Sequence, residues 1–256
     1  MDQSVAVVTG ASQGIGHSTA VRLARDFSSL VLVARNRAKL EETAKAVTAA
    51  GAQALILDID LSQKDAAKQV AQQTLAKFGR IDALLNIAGA VPQIDLFDMT
   101  DEQWHAGMAL KLHAARRLTI EAWPALKASH GAVVLMSGNS AVFPKAPYAA
   151  VGTINAAIVA LAKAFSDRGI VDGVQVNSVL PGAVMTGRRR SYLEHWAPLH
   201  KMTVQEATDK FPHEAGIARY GHPEEIADLM AFLVAPAARW MTGSAIRMDG
   251  GEVKSI

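Results

Sequence analysis

Three glycines stand at a turn where they could bind a phosphate. Gly10, Gly14 and Gly16 lie in TGASQGIG, directly after the apolar run VAVV (5–8) and before a helical pattern. Glycine lets the backbone approach a pyrophosphate, which then binds the free N–H groups at the start of a helix. A dinucleotide site is one interpretation, although the spacing differs from the commonest fingerprint, G-x-G-x-x-G. A plain tight turn is the alternative, because any strand-to-helix turn favours glycine.

A second stretch, SGNSAVFPKAPYAAVGTINAAI (137–158), carries hydroxyl groups that could hold or protonate a substrate oxygen. It contains Ser137, Ser140 and Tyr148. Tyr148 has a competing interpretation as a packed tyrosine without a catalytic role.

The scaffold for these residues is predicted from hydrophobic patterning. Helical patterns such as 36–50 and 63–78 alternate with short apolar runs at 5–8, 30–34, 54–57, 83–88, 132–136, 174–180 and 244–248. Strands that are apolar throughout are buried on both faces, which indicates a parallel sheet between two layers of helices. We expect one α/β domain over residues 1–256, with a polar, basic lid at about 187–216.

Composition narrows the function classes. The 256 residues include 26 basic and 24 acidic side chains, so the net charge of +2 argues against a general nucleic-acid binder. The absence of cysteine excludes disulfides and thiolate metal sites. The eight histidines show no metal-ligand spacing, and His195 and His200 are expected to face solvent.

The sequence also predicts a location. The N-terminus MDQSVAVVTG does not resemble a signal peptide, and the apolar runs look too short to span a membrane. We therefore expect a soluble, cytoplasmic protein without a membrane or nucleic-acid partner.

Motifs along essentially the whole chain resemble those of the short-chain dehydrogenase/reductase family. TGASQGIG resembles its T-G-x-x-x-G-I-G, and NIAG (86–89) resembles its N-N-A-G with Ile87 in place of the second Asn. NSVLPGAVMT (177–186) resembles its N-x-x-x-P-G-x-x-x-T, while 219–233 and 242–251 resemble its last helix and C-terminal strand. The resemblance implies a doubly wound Rossmann sheet of seven parallel strands and an oxidoreductase acting on a small carbonyl compound or alcohol.

The resemblance also implies a nicotinamide cofactor and its contacts. At the end of the second strand, where an acidic residue would select NAD, the chain has Ala34 followed by Arg35, which favours NADP because a guanidinium pairs with phosphate. A solvated Arg35 is the alternative, and Gln13 weakens the NADP prediction because many NADP-preferring members carry a basic residue there. The implied cofactor-binding residues are Gly10, Ser12, Gln13, Gly14, Ile15, Gly16, Arg35, Asp60, Leu61, Asn86, Ala88, Gly89, Asn155, Pro181, Gly182 and Thr186.

The family's catalytic positions can be located by counting back from Asn177. A register without gaps places its serine, tyrosine and lysine on Gly138, Val151 and Asn155. Its catalytic asparagine, seven residues after a tryptophan, falls on Lys111, seven after Trp104. Using Tyr148 as the catalytic tyrosine would put Gly152 at the lysine position and add three residues before Asn177. We prefer the register without gaps, in which none of the four usual catalytic residues is present.

Substitute catalytic groups are therefore needed for any reduction. The candidates are Tyr148, Lys111 and Ser140, with Lys145 near the mouth of the cleft. The basic run 188–190 has two open interpretations, a clamp for an anionic substrate or a solvated face.

Three function classes remain open. The first is an NADP-dependent oxidoreductase with a displaced or substrate-assisted proton donor, and we favour it. The others are a catalytically silent NADP binder and a non-redox enzyme that uses the same cleft. The apolar helices predicted over 101–128 and 148–168 further indicate a homo-oligomer, a dimer or more specifically a tetramer.

Overall fold

A single parallel sheet organises the molecule. The computed structural model describes residues 3–255, in which the seven strands stand in the order β3-β2-β1-β4-β5-β6-β7. They are β1 (Val5–Thr9), β2 (Ser29–Ala34), β3 (Gln53–Asp58), β4 (Ala83–Asn86), β5 (Ala132–Met136), β6 (Gln175–Pro181) and β7 (Ala245–Met248). The predicted doubly wound class is confirmed. The order reverses between β1 and β4, and sheets of this type bind ligands beyond the carboxyl ends of the strands at such a point.

The helices cover the sheet and carry the lid. They are α1 (Gly14–Leu23), α2 (Arg37–Ala49), α3 (Ala66–Phe78), α4 (Asp101–Gly107), α5 (Ala114–Ala128), α6 (Ala149–Asp172), α7 (Gly187–Leu199), α8 (Val204–Ala215) and α9 (Pro223–Val234). A π-helical segment, Met108–His113, separates α4 from α5. The single helix predicted over 101–128 is therefore wrong in its middle.

Alternate residues of each central strand enter two different cores. Ala6 and Val8 of β1 pack in the core that includes residues of α1 and α9, whereas Val5 and Val7 pack in the core beneath α3, α5 and α6. All five residues of β1 are buried. Burial on both faces explains why these strands are apolar throughout.

Strand β4 ends earlier than its apolar run predicts. The run extends to residue 88, but the strand stops at Asn86. The backbone N–H groups of Ile87 and Ala88 both donate to the Thr9 hydroxyl, at 2.9 and 3.0 Å. These bonds turn the chain out of the sheet and hold it beside the end of β1.

One helical segment is more apolar than the sequence analysis allowed. Ala146–Asp172 is long and apolar enough, by length and composition only, to cross a membrane, so the statement that every apolar run is too short is wrong. Core helices of soluble proteins meet the same criterion. Here Ile158 and Ala162 of α6 pack in the core beneath β5 and β6.

The predicted lid segment, 187–216, forms the two helices α7 and α8. Leu193, Ala197, Ala207 and Tyr220 make a small core of their own beneath these helices. The hydroxyls of Thr186 and Thr203 accept bonds from the first turns of α7 and α8. Local capping and a separate core therefore stabilise this segment, and its motion as a lid stays a prediction.

Candidate cofactor and active site

The glycine turn is shaped so that only glycine fits at its key positions. Gly10 and Gly14 have φ angles of +69° and +57°, a region that side chains disfavour. A Cβ atom on Gly16 would lie 2.1 Å from the Gly10 carbonyl oxygen. A Cβ on Gly10 would lie 3.0 Å from the backbone of Ala88, so the turn and the NIAG segment are in contact.

The first turn of α1 points free donors at this turn. Its N-cap residue, Gln13, makes no side-chain capping bond. The backbone N–H groups of a helix start, together with the helix dipole, form an anion site. The Gln13 side chain instead accepts a hydrogen bond from the Lys39 ammonium at 2.7 Å.

Lys39 is a cofactor-site candidate that the sequence analysis missed. Many NADP-preferring members carry a basic residue where this chain has Gln13. Here the Lys39 ammonium, bonded to Gln13, supplies a positive charge at that place. A sign was available, because Lys39 follows Arg35 by four residues on the first turn of α2. Its contact with Gln13, however, joins residues 26 positions apart.

Arg35 and Arg37 differ in their partners. Arg37 pairs with Glu41 at 3.1 Å and with Asp58 at 3.2 Å. Arg35 is exposed and forms no ion pair with the carboxylates of residues 3–255. Its charge is felt at Asp60. Burial raises the pKa of Asp60, but bonds from Ser62 and the charge of Arg35 outweigh this and lower it.

The other predicted cofactor residues surround the same strand ends. Thr186 packs against Gly14, with its methyl carbon 3.4 Å from where a Cβ would be. Gly182 touches Asp249, and Gly89 touches Lys111. Leu61 and Pro181 are buried, whereas Ser12 and Ile15 are half-buried in the turn. The amide of Asn86 is buried and donates to Thr119 at 3.1 Å, so this side chain is used within the fold.

Asn155 fills the space beside Gly138. The backbone of Gly138 is extended (φ 171°), so conformation alone would admit any residue. A Cβ there, however, would lie 2.7 Å from Asn155 Nδ2. Asn155 Nδ2 donates to the Ser140 hydroxyl at 2.8 Å, while its buried Oδ1 has no hydrogen-bond partner within residues 3–255. Three predicted site residues are thus brought together, with one acceptor left open.

Tyr148 lies directly before the start of α6, at the end of a short turn over Ala146–Tyr148. Burial and the charge of Glu252 raise its pKa, against a smaller lowering by Arg189. A proton donor working near neutral pH needs the opposite shift. Gly152 is no substitute for a lysine, because a Cβ there would lie 2.8 Å from Pro144 Cβ.

Glu252 is a second group that the sequence analysis missed. Its carboxylate accepts a hydrogen bond from Asn139 Nδ2 at 2.8 Å, across 113 positions of the chain. No local pattern marks it. Its effect on Tyr148 shows that the C-terminal segment contributes to this side of the cleft.

Lys111 places an ammonium group between the end of β5 and the NIAG segment, where it contacts Ser137 and Gly89. It lies in the π-helical segment, a feature frequent at functional sites. Its Nζ donates to the Ser137 carbonyl oxygen at 3.2 Å and forms no ion pair among residues 3–255. Burial, with a contribution from the charge of Arg188, lowers the pKa of Lys111 from 10.5 to about 8.

The remaining polar candidates stand at the periphery. Lys145 is exposed and lies over the Phe143 ring, 4.8 Å from its centre. His195 and His200 are exposed, as predicted, and each ring contacts a backbone carbonyl one turn earlier. Within residues 3–255, no group of three or more His, Asp or Glu side chains could hold a metal ion.

Comparison with known proteins identifies the family. The model described as Enoyl-(Acyl carrier protein) reductase matches residues 10–252. The chain belongs to the short-chain dehydrogenase/reductase family. It is 31% identical to the NADPH-dependent reductase BacG of Bacillus subtilis, over 100% of both chains.

Solved structures of this family have the same fold. L-Sorbose reductase from Gluconobacter frateurii, complexed with NADPH and L-sorbose, is 28% identical, with a TM-score of 0.95 over 100% of this chain and 98% of that one. An actinorhodin polyketide ketoreductase with NADPH is also 28% identical, with a TM-score of 0.92 over 98% and 97% of the two chains. This short-chain dehydrogenase/reductase therefore retains the family architecture along its whole length.

Proposed function

We propose that this protein is an NADP-dependent reductase of a small carbonyl compound, in which Lys111 has taken over proton donation. The observation that carries the proposal is the half-buried ammonium of Lys111, which donates to the Ser137 carbonyl, has no carboxylate partner among residues 3–255 and has a pKa lowered to about 8. A general acid works best when its pKa lies near the operating pH. Lysine reaches that range only when its surroundings disfavour the charge, as they do here.

The residues present fit a bound NADP. The start of α1 offers unpaired N–H groups for the pyrophosphate, and Arg35 and Lys39 offer cations for a 2′-phosphate. Asn155 Oδ1 is a buried acceptor that lacks a donor, as a ribose hydroxyl would supply. NADP complexes of the related L-sorbose and polyketide reductases agree with this assignment.

The chain's own groups then account for the proton. When bound, NADPH would supply a hydride to the carbonyl carbon, which would leave negative charge on the carbonyl oxygen. The Lys111 ammonium stabilises that charge and transfers one proton to the oxygen, giving the alcohol and a neutral amine. The Ser137 carbonyl, which accepts a bond from Nζ, keeps the group aimed at the cleft. The amine regains its proton from water. Ser140, held by Asn155, is the proposed hydroxyl contact for the substrate.

A catalytically silent NADP binder is the second candidate. It is favoured by the fit of Asn155 into the space beside Gly138, which leaves no room for a serine there. Titration with NADPH and NADH, followed by NADPH oxidation with a panel of ketones and aldehydes, separates the two. Turnover that needs Lys111 supports the reductase. Preferential NADPH binding without turnover of any carbonyl supports the silent binder, and failure to bind NADPH refutes both.

We also propose that the protein works in the cytoplasm as a homo-oligomer. Exposed apolar side chains on or next to α5 and α6 support the assembly, among them Ile120, Phe143, Ile170 and Val171, which are 49%, 50%, 69% and 82% exposed. A second copy of the chain packed on these helices would bury them. Light scattering at micromolar concentration tests this, and a monomeric mass would refute it.

A further inference from the structure

The guanidinium of Arg189 is fixed in position without a counter-ion. Its carbon Cζ lies 4.3 Å from the centre of the Phe211 ring and 5.5 Å from those of Tyr192 and Tyr220. No carboxylate in the described part of the chain pairs with it. Aromatic faces stabilise a guanidinium and restrict its orientation, but they leave its charge unneutralised.

A second unsatisfied group stands beside it. Tyr220 is only 7% exposed and stacks on Phe211, with 5.6 Å between ring centres. Burial raises the pKa of Tyr220, and the adjacent Arg189 guanidinium opposes this by its charge and by donating toward the hydroxyl oxygen. The hydroxyl proton has no acceptor among residues 3–255, which is costly for a buried polar group. A guanidinium without a counter-ion and a hydroxyl proton without an acceptor together make a pair of donors suited to an oxyanion.

The donor pair stands at the lid segment, within electrostatic range of the start of α6. The charge of Arg189 acts on the hydroxyl of Tyr148, where it opposes the effects of burial and of Glu252 on the pKa. Glu252 is bonded to Asn139 and forms no ion pair with Arg189, so it does not neutralise the site. The preceding residue, Arg188, reaches the Gly89 carbonyl beside Lys111. The first turn of α7 therefore joins the donor pair to the proposed proton donor.

We propose that Arg189 and the Tyr220 hydroxyl bind an oxyanion group of the substrate, a carboxylate or a phosphate, so that the substrate is an anionic ketone or aldehyde. The assignment of the reacting carbonyl rests on the proposed reductase function, whereas the oxyanion site rests on its own geometry. The site also favours binding in one direction, with the oxyanion on α7 and the carbonyl toward Lys111.

Paired probes test the proposal on the complex with NADP. Calorimetry compares pyruvate and 4-oxopentanoate with their methyl esters, and dihydroxyacetone phosphate with dihydroxyacetone. We expect at least one anionic probe to bind about 10- to 100-fold more tightly than its neutral counterpart, as a charge-assisted contact predicts. The acids and the phosphate show which oxyanion is preferred. If no anionic probe exceeds its neutral counterpart, the proposal is overturned.

Variants assign the effect to the site. Arg189→Gln should remove the preference for the anion and leave the affinity for the neutral probe and for NADP unchanged. Arg190→Gln removes an exposed neighbouring charge and is the matched control. An equal loss in both variants, or an equal loss of NADP affinity in Arg189→Gln, would overturn the proposal. Tyr220→Phe, which removes only the hydroxyl, should weaken the anionic probe by about 2- to 10-fold and serves if Arg189→Gln does not fold.

Parallel measurement of NADPH oxidation separates the two proposals. Anion binding that depends on Arg189, without oxidation of NADPH by any probe, would refute the reductase function and support the oxyanion site. Oxidation of NADPH by neutral probes alone would support the reductase and overturn the oxyanion site.

Discussion

The glycine turn and the end of β5 differ in how much space and how many free polar groups they offer to a ligand. At the glycine turn, Gly10 and Gly14 have positive φ angles and the first N–H groups of α1 have no side-chain cap. Arg35 pairs with no acid in the described part of the chain. At the end of β5, Gly138, Ser140 and Asn155 pack against one another and satisfy most of their own hydrogen bonds. The first region is prepared for a large anionic ligand. In the second region, the Asn155 side chain fills the space beside Gly138. A proton donor for catalysis must therefore come from a neighbouring residue.

Of the changes that test the difference between the two regions, removal of the Lys111 ammonium should have the largest effect on reductase activity. Lys111→Met is expected to lower reductase activity by about 10²- to 10⁴-fold, the contribution of a positioned general acid, while NADPH affinity stays within about twofold. Lys145→Met, which removes an exposed lysine, is the control. Rates of NADPH oxidation and titration of NADPH fluorescence provide the two readouts. If instead Tyr148→Phe abolishes activity and Lys111→Met does not, the proton donor is Tyr148.

Restoring the family's serine, tyrosine and lysine at positions 138, 151 and 155 should give the region at the end of β5 the usual catalytic groups. The triple variant Gly138→Ser, Val151→Tyr, Asn155→Lys is expected to create or raise activity on simple ketones, by up to about 10²-fold. Gly138→Ser alone should destabilise the fold by about 1–3 kcal/mol, because its side chain meets Asn155 Nδ2. Denaturant unfolding measures that cost. A folded triple variant that binds NADP without any gain in activity would count against the register.

The choice between NADP and NAD tests the region of the glycine turn. Arg35→Ala is expected to weaken NADP binding by about 1.5–3 kcal/mol and leave NAD binding unchanged, because only NADP presents a 2′-phosphate. Arg37→Ala is the matched control, since Arg37 is engaged by Glu41 and Asp58. Titration of both cofactors decides the matter. Equal or reversed affinity of the wild-type protein for NAD would refute the NADP assignment.

The smallest effect is a pH dependence that Lys111 should impose. Its pKa of about 8 predicts that carbonyl reduction falls by about tenfold per pH unit above 8, since the ammonium is the acid. Lys111→Met should lack this limb in a pH–rate profile. The folded pKa lies below the unfolded value of 10.5, so the unfolded chain binds more protons between these values. The contribution of Lys111 to stability therefore improves as pH rises from 8 to 10.5.

The sheet could be predicted from sequence because strands such as β1 are apolar on both faces, which few other structures require. The glycine turn was predictable for a similar reason, since Gly10 and Gly16 have no room for a side chain. Lys39 and Glu252 were missed because their contacts join distant segments. Counting from Trp104 located Lys111, but its lowered pKa depends on burial and on Arg188, which belongs to the lid.

The π-helical segment Met108–His113 also determines how far α5 is rotated about the helix axis relative to α4. Its i→i+5 bonding holds one more residue per turn than an α-helix does. Deleting one residue after Lys111, such as His113, would let α4 and α5 continue as one regular helix and turn one relative to the other by about 100°. Lys111 would then leave the cleft while Leu118 kept its place in the core. The π-helical turn thus changes the angle between two faces of one continuous helix. As a result, the Lys111 ammonium and the core-packed Leu118 can point in directions that a regular α-helix would not allow together.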